Sequence, residues 1–232
     1  MTKNLIFTAT YNEADNISKY INEVFKYSKN SYLLIIDDNS PDKTYQIIKE
    51  HQKKNKKIFC IKRKNKMGLD TAHKLGYEFA LKNKFDKLIT MDADLSHNPK
   101  EIPIILKYLE KKDFVIGSRY IFGAENKMNF IRFILSYIAN KLIKFTLKTK
   151  INEHTTSYRG FNLKKIKNFR LNEVKGKGYS FFMETIYLLK KKNITIHEIP
   201  IVFEDRKYGT SKIPKIEMFR TFKNLIFLFF KD

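Results

Sequence analysis

The feature that most constrains the fold is an alternation. Five apolar runs of strand length, "LIFTA", "LLII", "IFCI", "LITM" and "FVIG", are separated by helical stretches over the first 117 residues. Parallel strands need long crossover connections, usually helical, so this pattern predicts an α/β fold with a mostly parallel sheet flanked by helices. After the first run, Ile17, Tyr20, Ile21, Val24 and Phe25 recur at three-to-four spacing; after the third, Leu69, Ala72, Leu75, Gly76 and Phe79 do the same. Each set predicts a helix that lays one stripe on the sheet. With 232 residues and 43% hydrophobic content the chain can bury one sizeable core. Beyond Tyr120 the pattern changes to long amphipathic stretches, with weak strand signals in "TTSYRGF" and "ITIHEIPIVF". No internal repeat or low-complexity linker intervenes, so this boundary marks a change of role within one domain.

A formal net charge of +22 favours polyanionic partners: nucleic acid, nucleotide phosphates or an anionic lipid surface. The alternative is a chain-wide lysine bias that reports no partner. The single Cys60 excludes an intramolecular disulfide and a cysteine zinc site, and it reads as a core residue in a reducing cytoplasm. The other histidines are scattered, Gly68 and Gly76 form no Walker loop, and no Ser/His/Asp arrangement can be assembled. No targeting signal is expected, since "MTKN" leads into "LIFTA" and then polar sequence. No membrane-spanning helix is expected either. Residues 130–147 are interrupted by Arg132, Lys141 and Lys144, and residues 225–230 are too few to span.

In parallel sheets ligands bind beyond the carboxyl ends of the strands. Here those ends read "TYNEADN", "DDNSPDKT", "DADLSHNP" and "GSRY". Residues i and i+2 at a strand end project to one side, so Asp92 and Asp94 can converge on a hard cation, Mg²⁺ or Mn²⁺, that keeps positions open for phosphate oxygens. The other reading makes them turn residues, with His97 in a helix entry and Asn98 capping a helix that begins at Pro99. Asp38 can accept from a ribose hydroxyl or a base edge, whereas Asn39 to Asp42 can equally form an ordinary turn. Tyr11 can stack on a base and Glu13 can read its edge, or Asn12 can cap the first helix.

Taken in order, "TYNEADN", "IDDNSPDKT", "KNKMGLDTAHKLGY", "MDADLSHNP", "VIGSRY" and "EDRKYGTSKI" resemble the inverting family 2 glycosyltransferases, and within them the dolichol- or polyprenol-phosphate mannose synthases. The resemblance runs over residues 10–213. It implies a GT-A fold and transfer of mannose from GDP-mannose to a polyprenol or dolichol monophosphate with inversion. It further implies that Asp92 and Asp94, with Ser96, hold the divalent cation on the donor diphosphate. Ala93 would contact the nucleotide sugar, and Ala9, Tyr11, Glu13, Ile36 and Asp38 would line the nucleoside pocket. Arg119, Arg206 and Lys212 would bind phosphates, the last two from a closing loop, while Arg132 would approach the acceptor phosphate. Asp94, Arg119 and Arg132 are the residues assigned to the chemical step. The implied organisation is a catalytic domain over 1–213, with a nucleotide-binding half to 120 and an acceptor half from 121, then an amphipathic helix over 214–232.

Two positions depart from the family pattern. After an acid the family typically shows Thr-Ser-Gly-Phe-Arg; this chain has Glu153, His154, Thr155, Thr156, Ser157, Tyr158 and Arg159, so Ser157 replaces glycine. Its Cβ is expected to narrow the acceptor pocket. "GYSFFMET" places Phe182 ahead of Glu184 where the family often has Gln. The nearest rival activity transfers glucose from UDP-glucose to a polyprenyl phosphate. A rival from another class is a basic, non-catalytic nucleic-acid-binding protein, which leaves the acid-rich strand ends unexplained; no nucleic acid partner is expected.

Breaking a glycosyl–diphosphate bond develops negative charge on the leaving oxygen, which a metal, Arg119 and Lys212 can stabilise. A lipid monophosphate is already anionic, so it needs cationic positioning rather than a strong base. Residues 126–150 hold six Lys/Arg and no acid. Together with "KIPKIEMFRTFKNLIFLFFKD" they are expected to lie in a membrane interface, peripheral on a cytoplasmic face, with or without an anchoring subunit. The alternative packs Phe130, Ile134, Tyr137 and Ile138 on the sheet and uses Phe219, Phe222, Ile226 and Phe229 to close the core or meet a partner helix.

Overall fold

A computed structural model describes residues 2–204 and 216–230 of the chain. The first half builds the predicted alternation: β1 (Asn4–Thr10), α1 (Ala14–Tyr27), β2 (Tyr32–Asp37), α2 (Thr44–Lys54), β3 (Ile58–Lys62), α3 (Leu69–Lys82), β4 (Lys87–Thr90), α4 (Ile102–Lys111) and β5 (Phe114–Ser118). The second half adds β6 (Glu125–Asn126), α5 (Phe130–Thr146), β7 (Arg159–Asn162), α6 (Tyr179–Lys191), β8 (Ile196–Pro200), β9 (Val202–Phe203) and α7 (Ile216–Phe229). Seven strands form one sheet in the order β3-β2-β1-β4-β7-β5-β8. β7 runs antiparallel to both β4 and β5, and the remaining pairings are parallel. A separate parallel pair joins β6 to β9.

Strand side chains alternate between faces, and this sheet buries both. On one face Leu5, Phe7, Leu34, Ile36, Leu88 and Phe161 pack against Ala72, Tyr77 and Ala80 of α3 and Phe181 and Ile186 of α6. On the other, Ile6, Leu33, Ile35, Ile89 and Val115 meet Ile17, Tyr20, Ile21 and Val24 of α1 and Ile102, Ile105 and Leu109 of α4. The stripe on α1 is thus as predicted. That on α3 is displaced: Ala72, His73, Gly76, Tyr77 and Ala80 are buried, while Leu69 and Leu75 are exposed. The cause is close approach, since a Cβ on Gly76 would stand 2.8 Å from the Phe7 ring. α3 therefore presents its narrow face to β1.

A third cluster joins α5, α6 and α7 through Ile143, Leu147, Met183, Tyr187, Leu225 and Leu228. The rest of α5 is not covered. Phe130 is 72% exposed, and Ile134, Tyr137 and Ile138 are exposed too, so the alternative in which these four pack on the sheet is not what forms. On α7, Ile226 and Phe229 are also exposed, and the buried contacts come from Leu225 and Leu228 instead. The side chains of Phe219 and Phe222 lie outside the described residues. Among the described residues no helix is long and apolar enough to cross a membrane.

Candidate active site

β1 is flanked by β2 on one side and β4 on the other, so the strand order reverses beside it. Crevices open at such switch points. A cavity of about 1140 Å³ lies there, lined by the residues that follow β1, β2, β4 and β5.

The loop after β4 supplies Asp92, Ala93 and Asp94, all three lining the cavity. Leu95 adopts a left-handed φ of 62°, and the chain turns back so that Ser96 donates to Asp94 Oδ1 from its amide (3.0 Å) and its hydroxyl (2.6 Å). Asp92 Oδ1 accepts from the Ser157 hydroxyl at 2.6 Å. The Asp92 amide donates to His97 Nδ1 at 3.1 Å, which places the ring proton on Nε2, 3.2 Å from Thr156 Oγ1. Burial lowers the His97 pKa against the upward pull of Asp92 and Asp94. A neutral His97 thus splints the loop, stacked on Tyr158 at 5.0 Å. Asn98 accepts from the Lys100 amide and caps the short helical turn Pro99–Glu101. The turn-and-cap reading of this motif is therefore realised, and both carboxylates line the cavity.

The carboxylate pair fits a divalent cation. Two carboxylates face one cavity with outer hydrogen bonds that aim them, and Mg²⁺-type sites use one or two carboxylates plus substrate phosphates. Among the described residues no cluster of three or more His, Cys, Asp or Glu could form a self-sufficient cage. The hydroxyl of Ser96 is directed at Asp94, so its reach toward a cation runs through that carboxylate.

Of the residues expected around a nucleoside, Ala9, Tyr11, Glu13 and Asp38 line the cavity. Ile36 does not. It sits fully buried in the sheet core, because a strand residue two positions before Asp38 still lies under helices. Asp37 is structural, accepting from Thr10 Oγ1 (3.0 Å) and from the amide (3.0 Å) and hydroxyl (2.6 Å) of Ser40. Asn12 does not cap α1. Its φ is 57°, and the amino end of α1 is held across the loop by Thr44 Oγ1 on the Glu13 amide and Asp42 Oδ2 on the Ala14 amide. The β3–α3 loop adds Lys66, Met67, Gly68, Leu69 and Asp70 to the wall, residues the sequence reading did not assign.

Arg119 follows β5 and lines the cavity, but its guanidinium is already engaged. Nε and Nη2 donate to Glu153 at 2.7 and 3.0 Å, and Nη2 donates to Thr155 Oγ1 at 2.9 Å. Burial acts to raise the Glu153 pKa; the facing Arg119 charge and the Thr155 hydrogen bonds outweigh it and bring the carboxyl down to about 2. Burial likewise opposes the charge on Arg119, and Glu153 more than offsets that, raising its pKa. The expected phosphate-binding arginine is thus a partner in a buried ion pair that fixes the 153–157 segment. Glu198 anchors the same segment by accepting the amides of Asn152 (2.9 Å) and Glu153 (3.0 Å). Ser157, expected to narrow the acceptor pocket, lines the cavity and donates its hydroxyl to Asp92.

The cavity wall contributed by α5, α6 and α7 is largely apolar, with Ser136 and Thr221 among its polar members. Ile131, Leu135, Ala139, Leu142 and Ile143 of α5 face Leu225 of α7 and Phe182 of α6, and Arg132 stands on the same wall. Phe182 also lies under the buried Arg159, 4.8 Å from its guanidinium carbon. Arg206 and Lys212 lie outside the described residues.

The sequence profile of glycosyl transferase family 2 matches residues 5–170. Over 214 residues the chain is 30% identical to the polyprenol monophosphomannose synthase of Mycolicibacterium smegmatis, covering 91% of this chain and 81% of that one. It is 28% identical over 211 residues to the undecaprenyl-phosphate mannosyltransferase of Micrococcus luteus, covering 90% and 86%. Among solved structures, glucosyl-3-phosphoglycerate synthase of Mycobacterium tuberculosis aligns with a TM-score of 0.68 at 12% identity, over 99% of this chain and 79% of that one. A mannosyltransferase of Pyrobaculum calidifontis solved with GDP-Man and Mn²⁺ aligns at 0.57 and 16%, over 89% and 58%. These structural likenesses speak to the fold, which is of the GT-A type. With its switch-point cavity, its paired carboxylates and a profile match over most of its length, the chain belongs to glycosyl transferase family 2.

Proposed function

We propose that this chain transfers mannose from GDP-mannose to a polyprenol or dolichol monophosphate with inversion. The observation that carries this reading is one cavity with two chemistries: Asp92 and Asp94 at one end, an apolar wall from α5 and α7 at the other, and Arg132 on that wall. A nucleotide sugar suits the first end and a lipid phosphate the second. The names of the two curated relatives support mannose as the sugar and a polyprenyl phosphate as the lipid.

In this reading Asp92 and Asp94 would hold Mg²⁺ or Mn²⁺, which would supply charge stabilisation to the leaving nucleoside diphosphate. Ser157 and Ser96 keep the two carboxylates aimed. Asp38, Tyr11 and Glu13 receive the nucleoside. Arg132 positions the lipid phosphate, whose anionic oxygen forms the new bond to the sugar's anomeric carbon as the bond to the diphosphate breaks on the opposite face. No strong base is required. Arg119 acts through the wall it pins with Glu153, and Arg206 and Lys212 are assigned to phosphate binding from the segment that follows β9. The catalytic unit is taken as 1–213, with 214–232 an amphipathic helix. Exposed apolar residues of α5 and α7 lie in the interface of a membrane's cytoplasmic face, which brings the lipid to the cavity.

The test is nucleotide-dependent stabilisation of the full chain. GDP with Mn²⁺ should raise the melting temperature more than UDP with Mn²⁺, and an oligonucleotide should have little effect. A larger shift with UDP would move the donor to UDP-glucose. A larger shift with the oligonucleotide would remove the enzymatic reading.

A further inference from the structure

Arg63 leaves the end of β3 and is buried, yet it does not line the cavity. Its guanidinium nonetheless organises the nucleoside end. Nε and Nη2 pair with Asp38 Oδ1, Nη1 donates to Thr71 Oγ1 at 2.5 Å, and Nη2 donates to the Gly68 carbonyl at 3.0 Å. The second Asp38 oxygen, Oδ2, accepts from the Met67 amide at 3.2 Å. Gly68 has a φ of +95°, a conformation that a side chain would strain, and its carbonyl is thereby turned to the arginine. Thr71 closes the circuit, its hydroxyl also reaching the carbonyls of Met67 (2.9 Å) and Gly68 (2.8 Å). From the same loop Lys66 reaches to 4.2 Å from the centroid of the Tyr11 ring.

A buried ion pair is a weak source of fold stability, because desolvation offsets much of the attraction. What this pair provides is direction. A planar fork that engages three groups at once fixes the carboxylate it holds, and it ties that carboxylate to the 64–68 loop, which carries Lys66, Met67 and Gly68 of the cavity wall. We propose that Arg63 is a positioning residue for the donor nucleoside: it sets Asp38 and the 64–68 loop in their binding arrangement before the nucleotide arrives. This rests on the reading of the cavity as a nucleotide-sugar site, and it adds a residue that neither the strand-end motifs nor the cavity wall contains.

The experiment titrates GDP with Mn²⁺ into wild type, Arg63→Lys, Arg63→Ala and Thr71→Val by calorimetry, with melting temperatures and donor kinetics on each. Arg63→Lys retains the charge and loses the fork. It should fold, bind GDP about tenfold more weakly, the scale of one lost charge-assisted hydrogen bond, and raise the donor KM with kcat nearly unchanged. Thr71→Val, which loosens the same circuit, should show the same split at smaller amplitude, and Arg63→Ala the largest loss. Wild-type GDP affinity in folded Arg63→Lys or Arg63→Ala overturns the proposal, as does a fall in kcat with KM unchanged. If wild type itself binds neither GDP nor UDP, the nucleotide reading of the cavity fails instead.

Discussion

Asp94 receives two donors from Ser96 and Asp92 one from Ser157, so each carboxylate is held by its side-chain surroundings as well as by its backbone. Asp94→Asn keeps the shape and removes the ligand charge. Transfer should fall by roughly 100-fold or more while the melting temperature stays near wild type, because a metal ligand lost to a transition-state interaction costs on that scale. Ser157→Ala leaves both carboxylates but frees Asp92 to rotate, and about a tenfold loss of activity or Mn²⁺ affinity is expected. Assays across Mn²⁺ concentration check both. The acid pair was legible because two carboxylates two apart at a strand end are visible in a short window. The pairings of Ser157, His97 and Glu153 are not legible in the sequence, because their partners Asp92, Thr156 and Arg119 come from distant sequence positions that β7, threading between β4 and β5, brings together.

Titration adds a prediction at the same scale. Glu101 is buried with Oε1 on the Val202 amide (2.7 Å) and Oε2 without a hydrogen-bond partner among the described residues. Burial raises its pKa from 4.5 to about 7, only partly opposed by that amide. A pKa raised in the folded state stabilises fully below the unfolded value and loses that contribution as pH climbs toward 7. The effect is at most about 3 kcal/mol. Melting temperature should therefore decline between pH 4.5 and 7 through this group, and Glu101→Gln should flatten the decline; an unaltered profile would contradict the assignment. Glu153 works in the opposite sense and in a lower window. Its stabilisation is complete above 4.5 and is lost as pH falls to about 2.

At the scale of elements, α5 and α7 break the usual rule that an amphipathic helix covers its apolar stripe. Phe145 of α5 is 83% exposed and Phe230, the residue after α7, is 81% exposed, although Ile143, Leu225 and Leu228 of the same two helices are buried together. Periodicity predicted both helices and their basic edges. It could not say which apolar residues face inward, since the covering surface on α6 was not yet placed. Deleting α7 would strip the Ile143 and Met183 cluster as well as any membrane contact, so substitution separates the roles better. Phe130→Glu, Phe145→Glu and Phe230→Glu combined should leave the melting temperature within about 2 °C, as surface changes do, and sharply reduce sedimentation with anionic vesicles. Wild-type binding should weaken with salt without vanishing. Arg132→Ala should spare GDP affinity and raise the KM for the lipid phosphate; an unchanged lipid KM would move Arg132 off the acceptor.

Over the whole molecule, the strand–helix alternation was enough to predict the parallel sheet and the strand ends at which the cavity opens. The antiparallel β7 was visible only as a weak strand signal, because four residues buried from both sides show no period. What the sequence does not show is tertiary: a residue near a strand end can be buried by its neighbours, as Ile36 is, or paired across the fold, as Arg119 is with Glu153. The central claim is that the two ends of the cavity serve one reaction. Its most direct test supplies the full chain in detergent with polyprenyl phosphate, Mn²⁺ and either radiolabelled GDP-mannose or radiolabelled UDP-glucose, and measures label extracted into organic solvent. Label should pass from GDP-mannose to the lipid, require both the cation and the lipid phosphate, and disappear in Asp94→Asn. Lipid label from UDP-glucose alone, or from neither donor, would contradict the account.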